Sequence, residues 1–257
     1  MALVLSLNAL NPIVSNINHV YDSVLALIYP QACAVCGDSV ESRRDGVACA
    51  RCWASVAPTD DNTAQCWKCG ARSREGVTAV KREAIRCGRC DDFAFTAARS
   101  CGPYEGALRA CILSLKREPV VAQELGARLY QAQQLSPINR AQLIVPVPLH
   151  PERERERGFN QAIVLARALA NKSQLPLDEH SLVRGVHTDR HRAGMDSRAR
   201  CESVAGAFHV RHPKLISGRC VLLVDDVFTT GATVSECASV LRDSGAAEVF
   251  VLTVARA

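Results

Sequence analysis

Residues 220–244, CVLLVDDVFTTGATVSECASVLRDS, constrain the fold of this chain more than any other stretch. An unbroken apolar run at 221–224 is typical of a strand that is buried on both faces. Two carboxylates, Asp225 and Asp226, come where that strand is expected to end. A turn rich in Thr and Gly follows, and from Thr233 onward apolar residues recur at helical spacing. The segment therefore predicts a buried strand, an acidic pair, a short turn and a helix.

The chemistry of this turn suits a ribose 5-phosphate. Backbone N–H groups at a helix N-terminus bind anions, and the hydroxyls of Thr229, Thr230 and Thr233 add donors to the same cradle. Gly231 has no side chain, so the backbone there can approach a phosphate closely. The acidic pair can accept hydrogen bonds from vicinal ribose hydroxyls, directly or through Mg²⁺ and its waters. In parallel sheets, ligands bind at this edge, outside the carboxyl ends of the strands.

The same residues resemble the motif of type I phosphoribosyltransferases that binds phosphoribosyl diphosphate (PRPP). That motif is a hydrophobic run, two acids, a variable pair and then Thr-Thr-Gly-x-Thr, and residues 221–233 follow it in order. An ordinary strand-to-helix turn with a chance acidic pair is the alternative. Six ordered matches at a strand-to-helix switch favour a phosphate and ribose site.

Cysteine spacing is the second informative feature. The chain has 13 cysteines, and eight of them form four Cys-x-x-Cys pairs with no secretory signal ahead of them. An odd total with paired spacing favours metal binding in a reducing compartment, and hence a cytoplasmic location, over a disulfide framework. The predicted zinc ligands form two sequential sets, which are Cys33, Cys36, Cys49 and Cys52, and then Cys66, Cys69, Cys87 and Cys90.

Two sets of four thiolates predict closed tetrahedral sites, which favours structural Zn²⁺, one or two ions, over a catalytic metal. Zinc ribbons can also interleave their pairs, so the sequence leaves the ligand pairing open. Buried free thiols or a redox-active pair are weaker alternatives at this spacing. Loss of one ligand, by Cys36→Ser or Cys69→Ser, is expected to release zinc and to leave the pocket at 225–233 largely intact.

Basic residues surround the cysteines, beside Trp53 and Trp67, and two roles are compatible with that pattern. They suit contact with single-stranded nucleic acid, and they suit equally a solvated face. The formal net charge of +5 permits a nucleic acid or a phosphorylated ligand without requiring one. The residues concerned are Arg43, Arg44, Arg51, Arg72, Arg74, Lys81, Arg82, Arg86 and Arg89.

Three domains are predicted. Residues 1–30 lack the basic region of a signal peptide, and their pattern predicts an amphipathic helix that packs on the protein, with membrane-surface attachment as the minor alternative. Polar residues interrupt this helix too often for it to span a bilayer. Residues 31–92 form the cysteine module, and residues 93–257 an α/β domain. In that domain strands are predicted at 97–104, 143–148 and 249–254, and helices at 106–115, 120–134 and 161–172.

Two charged segments of the α/β domain are candidates for ligand contact. The alternating Glu and Arg residues at 150–157 join a strand end to a helix capped by Asn160, which is where a diphosphate-binding loop is expected. Arginine offers a planar fork to phosphate oxygens, although alternating charges are also typical of a solvated, self-paired run. The basic segment 182–207 has little apolar periodicity and is predicted to be a loop that closes over an anionic substrate.

Together these features are similar to those of the ComF/GntX family, phosphoribosyltransferase-like proteins associated with natural competence and the use of external DNA. The resemblance covers nearly the whole chain after residue 30. It rests on the cysteine pairs, Lys116 after an apolar run, Pro146-Val-Pro148 leading to Arg153, the stretch Arg157-Gly-Phe-Asn-Gln161, Gly206-Ala-Phe208 and the motif at 225–233. This chain departs from the family in the basic segment, where His191 replaces a Gln and Ser203 an Asn.

The resemblance implies a type I phosphoribosyltransferase-like fold, a mainly parallel sheet flanked by helices, with an N-terminal zinc-ribbon module. It implies attack on C1 of PRPP, release of diphosphate, and Mg²⁺ bridging ribose and diphosphate. The implied 5-phosphate and substrate contacts are Thr229, Thr230, Gly231, Ala232, Thr233 and Lys116. Asp225 and Asp226 are implied to bind the ribose hydroxyls, and Arg153 or Arg157 to face the diphosphate.

Two functions are compatible with these residues. One is a Mg²⁺-dependent phosphoribosyltransferase whose acceptor the sequence does not identify. The alternative is a non-catalytic competence factor that retains the PRPP-type pocket and binds single-stranded DNA or a DNA-uptake helicase through its zinc ribbons. A PRPP-responsive regulator is a third hypothesis.

Overall fold

The computed structural model of the protein describes residues 31–57, 65–71, 86–88, 90–185 and 206–257. The helix predicted at 1–30 and most of the basic segment at 182–207 lie outside these residues. None of the helices within them has both the length and the apolar character that crossing a membrane requires.

The strands of the described residues lie in three separate sheets. They are β1 (Gln31–Ala32), β2 (Ser39–Val40), β3 (Ala97–Ser100), β4 (Leu143–Pro146), β5 (Leu182–Arg184), β6 (Phe208–Val210), β7 (Cys220–Phe228) and β8 (Glu248–Arg256). The central sheet has the order β3-β8-β7-β4, and each of its neighbouring pairs is parallel. Its two middle strands are buried where their apolar runs predict it, β8 over residues 249–255 and β7 over residues 221–224.

Helices cover both faces of this sheet. They are α1 (Ala50–Ala54), α2 (Gly106–Leu115), α3 (Gln123–Gln133), α4 (Pro151–Arg157), α5 (Gln161–Ser173), α6 (Pro213–Ile216) and α7 (Ala232–Asp243). Because alternate strand residues point to opposite faces, the core divides into two apolar layers. In one layer the sheet packs against α2, α3 and α5, and in the other against α7 and the small β5–β6 sheet. The predicted mainly parallel sheet with flanking helices is thus confirmed.

The two cysteine sets lie in different layers of the core. Cys33, Cys49 and Trp53 pack into the layer that contains α2 and α3. The second set packs into the layer that contains α7. The Ala98 N–H donates to the Lys68 carbonyl at 2.7 Å, so the second cysteine module covers the edge of the sheet at β3.

Two elements near the predicted site differ from expectation. β7 continues to Phe228 because it remains paired with β8 as far as Arg256, so the acidic pair lies inside the strand and not after it. The Glu–Arg run, expected as a loop, forms the short helix α4. Proline stands at its start, the His150 side chain accepts a hydrogen bond from the Glu152 N–H, and Gly158 ends it in the left-handed region.

Candidate functional site

The acidic pair lies in the second half of β7, and both residues are half-buried. Asp225 is in register with Thr253 of β8, and its Oδ1 accepts a hydrogen bond from the Asp226 N–H at 2.8 Å. Burial raises the pKa of the Cys237 thiol on α7, the negative charge of Asp225 raises it further, and the guanidinium of Arg184 opposes this. Asp225 and Arg184 therefore lie near the same buried thiol.

A turn of only three residues, 229–231, separates β7 from α7. Gly231 adopts φ +81°, a conformation that glycine favours, and stands immediately before the helix. The Ala232 N–H donates weakly to Thr230 Oγ1 at 3.4 Å, and the Ser235 N–H makes the first helical bond to the Gly231 carbonyl at 2.9 Å. The first N–H groups of α7 and the neighbouring hydroxyls thus lie together at the carboxyl edge of the sheet, as an anion cradle requires.

The arginine helix α4 follows β4, the strand next to β7. The Val147 N–H donates to the Val224 carbonyl at 2.9 Å, which places the end of β4 beside the start of the acidic pair. Asn160 is buried, donates to the Val147 carbonyl at 3.0 Å and caps α5 by accepting from the Ala162 N–H at 2.9 Å. This confirms the predicted cap, and it joins the two ends of segment 147–160, which contains α4.

Both candidate arginines lie on α4. Arg153 is exposed and Arg157 half-buried, and their spacing of four residues places them on one face of α4. Lys116 is placed differently. It follows α2, which packs in the layer opposite α7. Its assignment as a substrate contact therefore stays a prediction.

The structure adds residues of the β5–β6 sheet to the surroundings of the site. The Arg184 guanidinium lies 5.4 Å from the Phe208 ring centroid, and the Gly206 N–H donates to Glu236 Oε1 of α7 at 2.8 Å. Both ends of the basic segment 182–207 are therefore anchored beside the first turns of α7. Sequence patterns predict a role for this segment and include Arg184 only as one of its basic residues. They do not point to Glu236, because its position beside the segment depends on contacts between distant parts of the chain.

The eight predicted zinc ligands form two groups of four thiols, and in each group the sulfur atoms lie within 4.8 Å of one another. We call Cys33, Cys36, Cys49 and Cys52 the first tetrad, and Cys66, Cys69, Cys87 and Cys90 the second tetrad. The pairing that the sequence left open is therefore sequential.

The tetrad geometry fits Zn²⁺. Sulfur–sulfur distances are 3.7 Å for two pairs of the first tetrad and 3.4–3.5 Å for three pairs of the second. Four thiolates at about 2.3 Å from a tetrahedral zinc ion would be about 3.8 Å apart. Burial raises the pKa of Cys33 and of Cys66, but backbone N–H donors outweigh it and lower each pKa to about 6. These thiols are thus disposed to become thiolate ligands.

Comparison with known proteins agrees with these features. The family model described as "Double zinc ribbon domain" matches residues 24–91. The DNA utilization protein YhgH of Salmonella typhimurium is 30% identical over 223 residues, which cover 74% of this chain and 96% of that protein. Competence protein F of Haemophilus influenzae is 37% identical over 115 residues, which cover 44% of this chain and only 50% of that protein.

Similar solved structures include two phosphoribosyl enzymes. Glutamine PRPP amidotransferase of B. subtilis is 22% identical, with a TM-score of 0.34 over 50% of this chain and 25% of the other. Hypoxanthine phosphoribosyltransferase of Trypanosoma cruzi is 17% identical, with a TM-score of 0.31 over 57% of this chain and 63% of the other. These TM-scores are low. The fold of this chain is therefore described from the order and direction of the strands in its own central sheet.

Proposed function

This chain belongs to the ComF family, and from that premise we propose that its pocket binds PRPP together with Mg²⁺ and transfers the phosphoribosyl group in the use of external DNA. The observation that carries the proposal is the arrangement at the carboxyl end of β7. There Asp225 and Asp226 stand just before the turn 229–231, which leads into the N-terminus of the 12-residue helix α7. Acids for a ribose and N–H donors for a phosphate thus lie on one strand-turn-helix unit.

Each group in this site has a role in the proposed reaction. The turn and the start of α7 hold the 5-phosphate, and the acidic pair accepts hydrogen bonds from the ribose hydroxyls. A nucleophilic acceptor then forms a bond to C1 while the bond from C1 to the diphosphate oxygen breaks and its electron pair leaves with the diphosphate. Arg157 and Arg153 on α4 face this leaving group and stabilise the charge that develops on it.

The acidic pair also fits Mg²⁺. This ion prefers oxygen ligands and is usually held by one or two carboxylates together with substrate phosphates and waters. Two adjacent, half-exposed carboxylates meet that requirement. When bound, Mg²⁺ would neutralise negative charge on the departing diphosphate.

Calorimetric titration of the zinc-loaded protein with PRPP, with and without Mg²⁺, tests the proposal. We expect Mg²⁺-dependent binding that Asp225→Asn/Asp226→Asn weakens by about 100-fold, since it removes two charge-assisted contacts worth ~1.5 kcal/mol each. Asp243→Asn, at the other end of α7, is the matched control and should bind normally. Absence of binding in the wild type, or normal binding in the double variant, would rule the pocket out. Release of diphosphate with candidate acceptors would then establish turnover.

One observation favours the alternative, a module that binds single-stranded DNA. The Arg86 guanidinium lies 4.9 Å from the Trp67 ring centroid in the second cysteine module, and Arg86 is exposed. Aromatic and arginine groups together provide stacking surfaces for unpaired bases. If PRPP gives no heat while an oligonucleotide binds with strong salt dependence, this function replaces the first.

A further inference from the structure

The second tetrad is joined to the phosphate-binding turn through the residues that follow its last ligand. The Phe93 N–H donates to the Cys90 carbonyl at 3.2 Å. The Phe93 ring then lies directly against Gly231, since a Cβ atom placed there would be 2.8 Å from Phe93 Cζ and 2.7 Å from Phe228 Cζ. The ring centroids of Phe93 and Phe228 are 6.1 Å apart at 70°, an edge-to-face packing. Gly231 thus packs against two aromatic rings, one of which follows the last ligand of the second tetrad.

Backbone groups of Ala94, the residue after Phe93, form hydrogen bonds with α7. The Ala94 N–H donates to Ser235 Oγ at 3.0 Å, and the Ala94 carbonyl accepts from Arg242 Nη1 at 3.0 Å. Ser235 lies in the first turn of the helix whose N–H groups form the proposed phosphate cradle. Movement of Phe93 and Ala94 would therefore displace both the turn and the start of the helix.

A second connection runs through Arg256 at the end of β8. Its guanidinium donates to the Cys69 carbonyl at 2.6 Å and lies 3.7 Å from Cys69 Sγ. The same guanidinium stacks 4.4 Å from the centroid of the Phe228 ring. Phe228, whose ring also lies against Gly231, is therefore also linked to a predicted zinc ligand.

The first tetrad is placed differently. It packs with Trp53 in the opposite layer of the core, where Arg128 of α3 donates to the Trp53 carbonyl at 2.9 Å. Its module therefore supports the α2–α3 side of the sheet. The first module thus contacts the α2–α3 side of the sheet, and the second contacts the turn 229–231 and α7.

We propose that Phe93 is a positioning residue that keeps the turn 229–233 in its ligand-binding geometry, and that zinc at the second tetrad and PRPP at the turn consequently raise each other's affinity. The PRPP part rests on the proposed function, whereas the coupling of the second tetrad to the turn does not. Linkage requires the effect to be reciprocal, so PRPP must tighten zinc binding by the same factor by which zinc tightens PRPP binding. For the second tetrad this revises the expectation that loss of a zinc ligand leaves the pocket intact.

Phe93→Leu tests the contact without touching a zinc ligand. In the absence of ligand, amide hydrogen exchange at 229–235 should become about tenfold faster while both zinc ions stay bound. Phe93→Met, which keeps an extended side chain against Gly231, should restore most of the protection. Phe250→Leu, the same change at a fully buried ring in the opposite layer, is the control for general loss of packing. Unchanged exchange at the turn in Phe93→Leu, or an equal effect in Phe250→Leu, would overturn the proposal.

Cys33→Ser and Cys66→Ser form a matched pair for the metal side. Both thiols are buried, and each accepts a backbone N–H bond within its tetrad, from Cys49 and Cys87 respectively. We expect Cys66→Ser to weaken PRPP binding about tenfold and Cys33→Ser by less than about twofold, where tenfold corresponds to ~1.4 kcal/mol. Competition with a chelator measures the zinc affinity of the tetrad that stays intact in each variant. PRPP should raise this affinity in Cys33→Ser, which keeps the second tetrad, and not in Cys66→Ser, which keeps the first.

The outcomes separate the two proposals. Equal loss of PRPP affinity in Cys33→Ser and Cys66→Ser contradicts the coupling but leaves PRPP binding established. Absence of PRPP binding in the wild type refutes the proposed function, and hydrogen exchange at 229–235 in Phe93→Leu then decides the coupling alone. If Cys66→Ser fails to fold, the Phe93 variants carry the test.

Discussion

Gly231 and Gly158 have nearly the same backbone conformation, with φ of +81° and +82°, but very different surroundings. A Cβ atom at Gly158 would have no neighbour within 4 Å, whereas at Gly231 it would overlap the rings of Phe228 and Phe93. Gly158→Ala should therefore lower the free energy of unfolding only by the cost of a left-handed alanine, about 1 kcal/mol. Gly231→Ala adds the cost of overpacking, for a total of about 3 kcal/mol.

Urea unfolding of the two alanine variants measures this difference directly. Equal losses of stability would mean that the two rings do not confine Gly231. The ligand-free turn would then be less rigid than the contacts of Phe93 and Phe228 indicate.

At the scale of single elements, two arginines of α4 differ in their surroundings. Arg155 Nε donates to the Pro151 carbonyl at 3.3 Å, so this side chain is turned back along its own helix. Arg157 is half-buried in the last turn of α4. Arg157→Ala should weaken PRPP binding about tenfold, the value of one charge-assisted hydrogen bond, while Arg155→Ala changes it less than about twofold. Calorimetry compares them, and equal effects would point to net charge rather than to a specific contact.

Local sequence patterns predict most elements. The exceptions are one strand boundary, which depends on pairing with a distant strand, and one short helix. The helix expected at 106–115 is present as Gly106–Leu115, because its apolar spacing alone specifies it. The strand expected at 221–224 continues to Phe228, since β8 pairs with it further than its apolar run extends. The run at 150–157 was expected as a loop, yet Pro151 at the first position and Arg residues in the last turn stabilise a short helix.

On the scale of the whole molecule, local motifs predict the cysteine tetrads and the strand-turn-helix unit of the candidate site, but not the contacts that support them. The acids, the threonines and the cysteine sets are local motifs, so the sequence alone is enough to find them. The contact of Ala94 with Ser235 joins residues 141 positions apart, and no local pattern announces it. The sequence also contains nothing that assigns the two zinc modules to opposite layers of the core.

Arg99 joins the second cysteine module, the central sheet and the segment that follows α3. This residue is 4% exposed, and its guanidinium donates to the carbonyls of Trp67, Ala98 and Ser136 at 2.8–2.9 Å. Arg99→Lys keeps the charge but replaces a planar fork by a single ammonium that cannot reach all three carbonyls. It should lower the free energy of unfolding by about 3 kcal/mol, since hydrogen bonds from a charged donor contribute ~1.5 kcal/mol or more each.

Arg140→Lys is the control, because Arg140 is itself exposed and forms a partly exposed ion pair with Glu248 at 2.9 Å, and surface pairs contribute about 1 kcal/mol or less. Urea unfolding compares the stability of the two variants, and chelator-induced zinc release reports on each tetrad. Trp67 directly follows Cys66, so Arg99→Lys should speed zinc loss from the second tetrad and leave the first unchanged. Equal loss from both tetrads would mean that the two modules depend on one common core, whereas selective loss would mean that each is held by its own layer.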